Sequence, residues 1–184
     1  MIAAFKEWSL VCSAIARGDT ILILRKGGIA EDAGSFSFQH PSFFLLPTRY
    51  HAAASKWHWP TPDLPFALAP DQSLTLTTRC DLITACTLRD WSQVVRLAPF
   101  HGWTEATIRE RFDYADAEAI HVAIVRAYNL AEPWTLPYQP DYGGCKSWVE
   151  LPDPPPYLAS TPALSDQAFH ALRLQIESIL FDSP

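Results

Sequence analysis

The order of apolar and polar residues divides the chain into short segments of changing period. Phe5, Trp8, Cys12 and Ile15 recur at helical spacing, with Ala4 and Val11 beside them, and predict a helix over residues 3–17 that Gly18 ends. "TILILRK" then reads as a strand. Ile21, Leu22, Ile23 and Leu24 leave neither face polar, which predicts a central place in a sheet. Gly27 and Gly28 break that strand, and "SFSF" and "SFFLLPT" predict short strands around a Gln39-His40-Pro41 bend. A short helix is expected over 49–57, followed by the proline-containing connection "WPTPDLPFALAP".

The clearest period of two runs over residues 73–89, where Leu74, Leu76, Cys80 and Leu82 alternate with Thr75, Thr77, Arg79 and Asp81. Asp90 and Ser92 can start a short helix through Leu97, and Thr104 can cap another that buries Ile108 and Phe112. "AIHVAIVRAY" is apolar on both faces and predicts a core strand. Arg126 stands out on it as a cation that needs a partner. Residues 131–163, rich in proline, read as ordered loop plus one short strand, "KSWVEL"; Ser165 caps a final helix with Phe169, Leu172, Ile176 and Ile179 on one face. Strands and helices mix without a regular βαβ alternation. The expected class is therefore α+β, with a mixed, mainly antiparallel curved sheet and flanking helices, in a single domain over residues 1–184.

Composition narrows the function classes. No apolar window reaches the length of a membrane-spanning helix, and the start, interrupted by Lys6 and Glu7, is read as mature helix and not as a signal peptide. The cytoplasm is the expected compartment. Cys12, Cys80, Cys86 and Cys145 form no C-x-x-C pair and are expected as reduced thiols. The net charge of −6 argues against duplex DNA as a partner. Its distribution is uneven. From Arg25 to Lys56, four cations (Arg25, Lys26, Arg49, Lys56) face two acids (Glu31, Asp32), so that segment is +2 and the rest −8.

Familiar chemistries are missing in their usual form. The chain has no G-x-G-x-x-G, no Walker loop, no G-x-S-x-G elbow, no H-E-x-x-H and no cysteine–histidine set at zinc spacing, so no cofactor and no metal are expected. Attention falls on "RKGGIAEDAGSFSFQHPSFFLLPTRYH". Arg25 and Lys26 end a buried strand, and the Gly27-Gly28 turn bares backbone amides, a combination suited to an anion, with Thr48 and Arg49 on the returning strand. His40 and His51 can titrate near neutrality, with Glu31 or Asp32 to orient them. In "YGGCKSWVEL", Lys146 can lower the Cys145 thiol pKa, and Trp148 can stack on a base; Trp57 and Trp59 can do the same. Two principal readings stay open. One is a binding domain for single-stranded RNA or a nucleotide-like anion. The other is a metal-independent hydrolase or transferase using His40 or His51 with Glu31. A third is a scaffold that docks a protein partner on the aromatic loop 131–148.

Five blocks, "FKEWSLVCSAIARGDTILILRKGGI", "FSFQHPSFFLLPTRYH", "FHGWTEATIRERF", "VRAYNL" and "YGGCKSWVEL", resemble the recurring segments of the bacterial family of domains of unknown function 1802 (DUF1802). The resemblance runs in order from about residue 3 to residue 151 and implies that the blocks form one unit. The helix leading into "GDTILILRKGG" is also similar to the entry of ASCH domains, whose G-x-K-T-x-E-x-R strand would place Gly18, Thr20 and Arg25 in comparable roles. That likeness implies a small PUA-like barrel with helices at its openings, often used on RNA. Asp19 stands where the lysine would be, and a leucine or isoleucine where the acid would be, which departs from the acid–base set of some such domains.

Overall fold

The computed structural model describes residues 2–26, 30–31, 34–48, 54–60, 73–116, 118–143 and 146–182. Its centre is a seven-stranded, mainly antiparallel sheet. The strands are β1 (Ile2–Trp8), β2 (Leu22–Lys26), β5 (Ser42–Thr48), β6 (Ser73–Leu88), β7 (Ile120–Pro137), β8 (Trp148–Leu151) and β9 (Ser160–Pro162). The order is β2-β7-β6-β5-β1-β8, with β9 also on β7; β1 and β5 run parallel. A separate two-stranded ribbon pairs β3 (Ala30–Glu31) with β4 (Gly34–Ser35). Among the described residues four α-helices complete the α+β fold: α1 (Ser9–Arg17), α2 (Trp91–Arg96), α3 (Glu105–Phe112) and α4 (Asp166–Leu180).

The first expected element is split. Residues 2–8 are a strand and only Ser9–Arg17 are helical. The cause is burial on both faces of β1. Phe5 enters one apolar cluster with Phe43, Leu45 and Ile23, while Ala4 enters a second with Phe44, Leu46 and Leu74. A strand sandwiched in this way has no polar face, so its period of two is invisible and the helical spacing of Trp8, Cys12 and Ile15 is read too far back. Gly18 does end the helix. Its φ of 76° is left-handed, and its N–H donates to Ile15 O.

β2 is an end strand and not a central one, hydrogen-bonded to β7 alone. It stays buried because other groups serve its free edge. Arg111 of α3 donates to Leu24 O at 2.5 Å, and Thr20 Oγ1 accepts from Leu22 N at 3.0 Å. The loop expected over 131–163 is also shorter than anticipated. β7 continues to Pro137, pairing Trp134 with Leu76, and Trp134 packs edge-on to Phe44 at 5.0 Å. Prolines 133 and 137 sit at exposed positions, which hides the alternation of buried Trp134 and half-buried Leu136. "SFSF" contributes only Ser35 to a strand; Phe36 and Phe38 follow irregular chain, with Phe36 buried in the core and Phe38 packed against it. Of the helix expected over 49–57, the described part is one turn at Ala54–Lys56.

The expected helix caps are observed. Asp90 accepts from Ser92 N at α2, Thr104 from Thr107 N at α3 and Ser165 from Ala168 N at α4. β6 and β7 pair along most of their length, with register shifts at Leu76/Thr78 and Leu82/Thr84 that bend the ribbon. The sheet therefore curves, and its two ends approach each other. Arg25 at the end of β2 reaches Ser147 beside β8, donating from Nη2 to Oγ at 2.7 Å, and its guanidinium lies 5.2 Å from the Phe5 ring of β1. The candidate site lies at this seam.

Candidate functional site

Three ionisable groups converge at the seam. Glu7 is the last but one residue of β1, with its side chain fully buried. One of its carboxylate oxygens, Oε1, accepts from Trp8 N at 2.7 Å, across the junction where the strand turns into α1. The other, Oε2, has no hydrogen-bond partner among the described residues and stands 3.9 Å from Arg25 Nη1. That distance exceeds hydrogen-bond reach, so the pair attracts without being closed. Arg25 Nε is likewise buried and unpartnered. Arg111 completes the group. Burial lowers its guanidinium pKa to about 10, a shift that Glu7 opposes and Arg25 reinforces. Its guanidinium carbon lies over aromatic surface, 3.8 Å from the Trp103 ring centre and 5.2 Å from that of Trp8.

Beside these groups opens a cleft of about 410 Å³ lined by Trp8, Arg25, Lys26, Lys56, Thr107, Glu110 and Arg111. Four cationic side chains face the single carboxylate of Glu110 there, in a chain whose net charge is −6. Lys26 Nζ sits 3.7 Å from the Tyr114 ring centre, and Lys56 pairs with Glu110 at 2.5 Å. The cleft wall continues into a tryptophan stack. Trp8 meets Trp103 edge-on at 4.7 Å, and Trp103 meets Trp57 at 5.2 Å. Gly102 allows this closeness, since a Cβ there would lie 2.4 Å from the Trp57 ring. His101, buried beneath the stack, accepts from Trp103 N at 3.2 Å. Its pKa is lowered to about 4, first by burial and then by His58 and Arg111.

Of the residues singled out in the sequence, Arg25 and Lys26 line this cleft. Thr48 lies at the end of β5 and donates from its hydroxyl to Glu7 O at 3.1 Å, holding the backbone that carries the buried carboxylate. Trp148 packs inside an aromatic group, 4.7 Å from Phe5 and 5.2 Å from Phe43, and donates to Ser37 O at 3.3 Å. His40 leans on that ring edge-on at 4.7 Å. Trp57 is buried, and Trp59 packs against it at 5.7 Å. Gly27, Gly28, Asp32, Arg49, His51 and Cys145 lie outside the described residues, as does the side chain of Glu31. The two sequence regions nevertheless meet, because Arg25 donates to Ser147 Oγ and His40 packs on Trp148. Burial raises the pKa values of Cys12, Cys80 and Cys86, which disfavours their thiolates. No group of three or more potential metal ligands occurs among the described residues. No described helix is long and apolar enough to cross a membrane.

Sequence reasoning missed Glu7, Arg111 and Trp8. The signals were present: Glu7 is an acid in an apolar run, and Arg111 falls on the buried side of α3 with Thr107, Ile108 and Phe112.

Residues 4–175 match the family described as Domain of unknown function (DUF1802). The chain belongs to that family. Among solved structures it is similar to an ASCH protein from Zymomonas mobilis, at 14% identity and a TM-score of 0.43, over 67% of this chain and 66% of that one, just under two thirds. Two variants of the Zymomonas protein, one serine-to-alanine and one tyrosine-to-phenylalanine, match over more of their length. Each is 13% identical over 82% of this chain; they are covered to 87% and 89%, with TM-scores of 0.48 and 0.47. No curated protein matches.

Proposed function

We propose that residues 1–184 act as one domain that binds a nucleotide-like anion or single-stranded RNA in the cleft at the sheet seam. The observation that carries this reading is the concentration of Arg25, Lys26, Lys56 and Arg111 around one recess of an acidic protein. Such a recess attracts phosphate, while the negative remainder opposes extended contact with a duplex. Arg25 offers a planar fork and Lys26 a mobile charge, two geometries that suit phosphate oxygens. Trp8, in the same wall, offers an apolar face to a base or sugar.

The test is equilibrium binding of a fluorescently labelled single-stranded RNA at low and moderate salt. The wild-type chain is expected to bind with a salt-dependent affinity, and Arg25→Ala with Lys26→Ala to abolish it. Absence of wild-type binding at low salt, or binding that the double variant retains, sinks the reading. In the acid–base alternative built on His40 or His51, His40 rests against Trp148, while His51, Asp32 and the side chain of Glu31 lie outside the described residues. The cytoplasm remains the proposed compartment.

A further inference from the structure

The seam holds one buried acceptor and one buried donor that no group among the described residues satisfies. Glu7 Oε2 and Arg25 Nε each expose less than 1 Å² and lack a hydrogen bond. Buried polar atoms are almost always paired, and leaving one unpaired is costly, so two on neighbouring side chains call for an explanation. They do not satisfy each other, because the closest approach of the two groups is 3.9 Å, from Nη1 to Oε2. Each has instead the complementary need. The carboxylate oxygen wants an N–H or O–H, and the guanidinium Nε–H wants a lone pair.

We propose that Glu7 Oε2 and Arg25 Nε together read the hydrogen-bonding edge of a nucleobase whose phosphate lies among the cleft's cations. This rests on the binding reading above and names the ligand's second half. A nucleobase edge places a donor beside an acceptor on one rigid ring, the arrangement the pair lacks. Entry runs past the Arg25 guanidinium, which lines the cleft and, among the described residues, is tethered by one neutral hydrogen bond, to Ser147 Oγ. Trp8 in the same wall supplies an apolar surface for the ring. The bonds so formed are charge-assisted, the stronger kind, so the base adds substantially to what phosphate alone provides.

The experiment compares the wild-type chain's affinity for ribose 5-phosphate, the four nucleoside 5′-monophosphates and their edge-methylated forms, such as N3-methyluridine 5′-monophosphate. At least one monophosphate is expected to bind about tenfold or more tighter than ribose 5-phosphate, its methylated form losing that gain. Glu7→Gln, which keeps the shape, should remove the same gain while ribose 5-phosphate binding is kept or strengthened, since a negative charge beside Arg25 and Arg111 is lost. Equal binding of ribose 5-phosphate and every monophosphate overturns the base-edge inference and leaves the anion cleft standing; water alone in the gap would give that result. A gain that survives methylation, or a Glu7→Gln variant that loses both ligands in parallel, also overturns it. Should neither class bind the wild-type chain, the cleft reading fails, and this inference with it. The wild-type comparison needs no variant, so it decides even if Glu7→Gln does not fold.

Discussion

Arg25 and Arg126 are two arginines of similar setting and opposite condition. Each extends from a sheet strand over a phenylalanine, Arg25 at 5.2 Å from the ring centre of Phe5 and Arg126 at 4.4 Å from that of Phe169. Each faces an acid. Arg126 closes on Asp166 at 2.6 Å and also donates to Leu164 O at 3.2 Å, so it fastens the start of α4 to β7. Arg25 stands 3.9 Å from Glu7, with Nε unmet, and lines a cationic cleft. An arginine on an apolar strand is therefore not in itself a sign of a site. A satisfied guanidinium is a clasp; an unsatisfied one beside an unsatisfied carboxylate, at the mouth of a recess, is where we propose a ligand.

The largest effect that bears on this contrast is the removal of Glu7. Glu7→Ala leaves Arg25 and Arg111 facing each other without their common counter-charge, and the chain is expected to lose about 3–5 kcal/mol of unfolding free energy in urea. A loss below about 1 kcal/mol would mean that the seam charges are solvated and the site is not buried as described.

Next comes the protonation of His101. Its pKa in the folded chain, about 4, lies below the ordinary value of 6.5. The unfolded chain therefore binds a proton first as pH falls. The stabilisation is full above pH 6.5, declines as pH drops from 6.5 towards 4, and amounts in all to about 3 kcal/mol. His101→Gln should flatten that part of the stability–pH curve. An unchanged slope between pH 7 and 5 would show that His101 is not held neutral under the tryptophan stack.

Arg126→Ala tests the clasp. It should lower stability by about 1–2 kcal/mol through the lost ring contact and carbonyl bond, with ligand binding untouched. The smallest stability effect belongs to Arg25→Lys. It keeps the charge but loses the fork, so stability should move by less than about 1 kcal/mol while anion affinity falls about tenfold. Reversal of these two patterns would exchange the roles of clasp and site.

Much of the architecture was legible where one face of an element meets water. β6 declared itself through its alternating threonines, and α2, α3 and α4 through Asp90, Thr104 and Ser165. Legibility failed where both faces are covered. β1 reads as helix because Ala4 and Phe5 are buried in different cores, and β2 reads as central because α3 and Thr20 conceal its open edge. Arg25 and Lys26 were visible as a basic pair closing an apolar strand. Their partners Glu7, Arg111 and Ser147 are far away in sequence and are joined only by the curl that brings β2 to β8. Trp148 reads as a stacking residue by type, yet its ring is spent on Phe5, Phe43 and His40.

The central claim, that the incomplete Arg25 marks the ligand site and the complete Arg126 does not, is tested most directly by calorimetric titration of a short single-stranded RNA into three proteins at low salt: wild type, Arg25→Lys and Arg126→Lys. Wild type and Arg126→Lys should bind with equal affinity, and Arg25→Lys about tenfold more weakly. Equal affinity for all three, or a loss confined to Arg126→Lys, would contradict the claim.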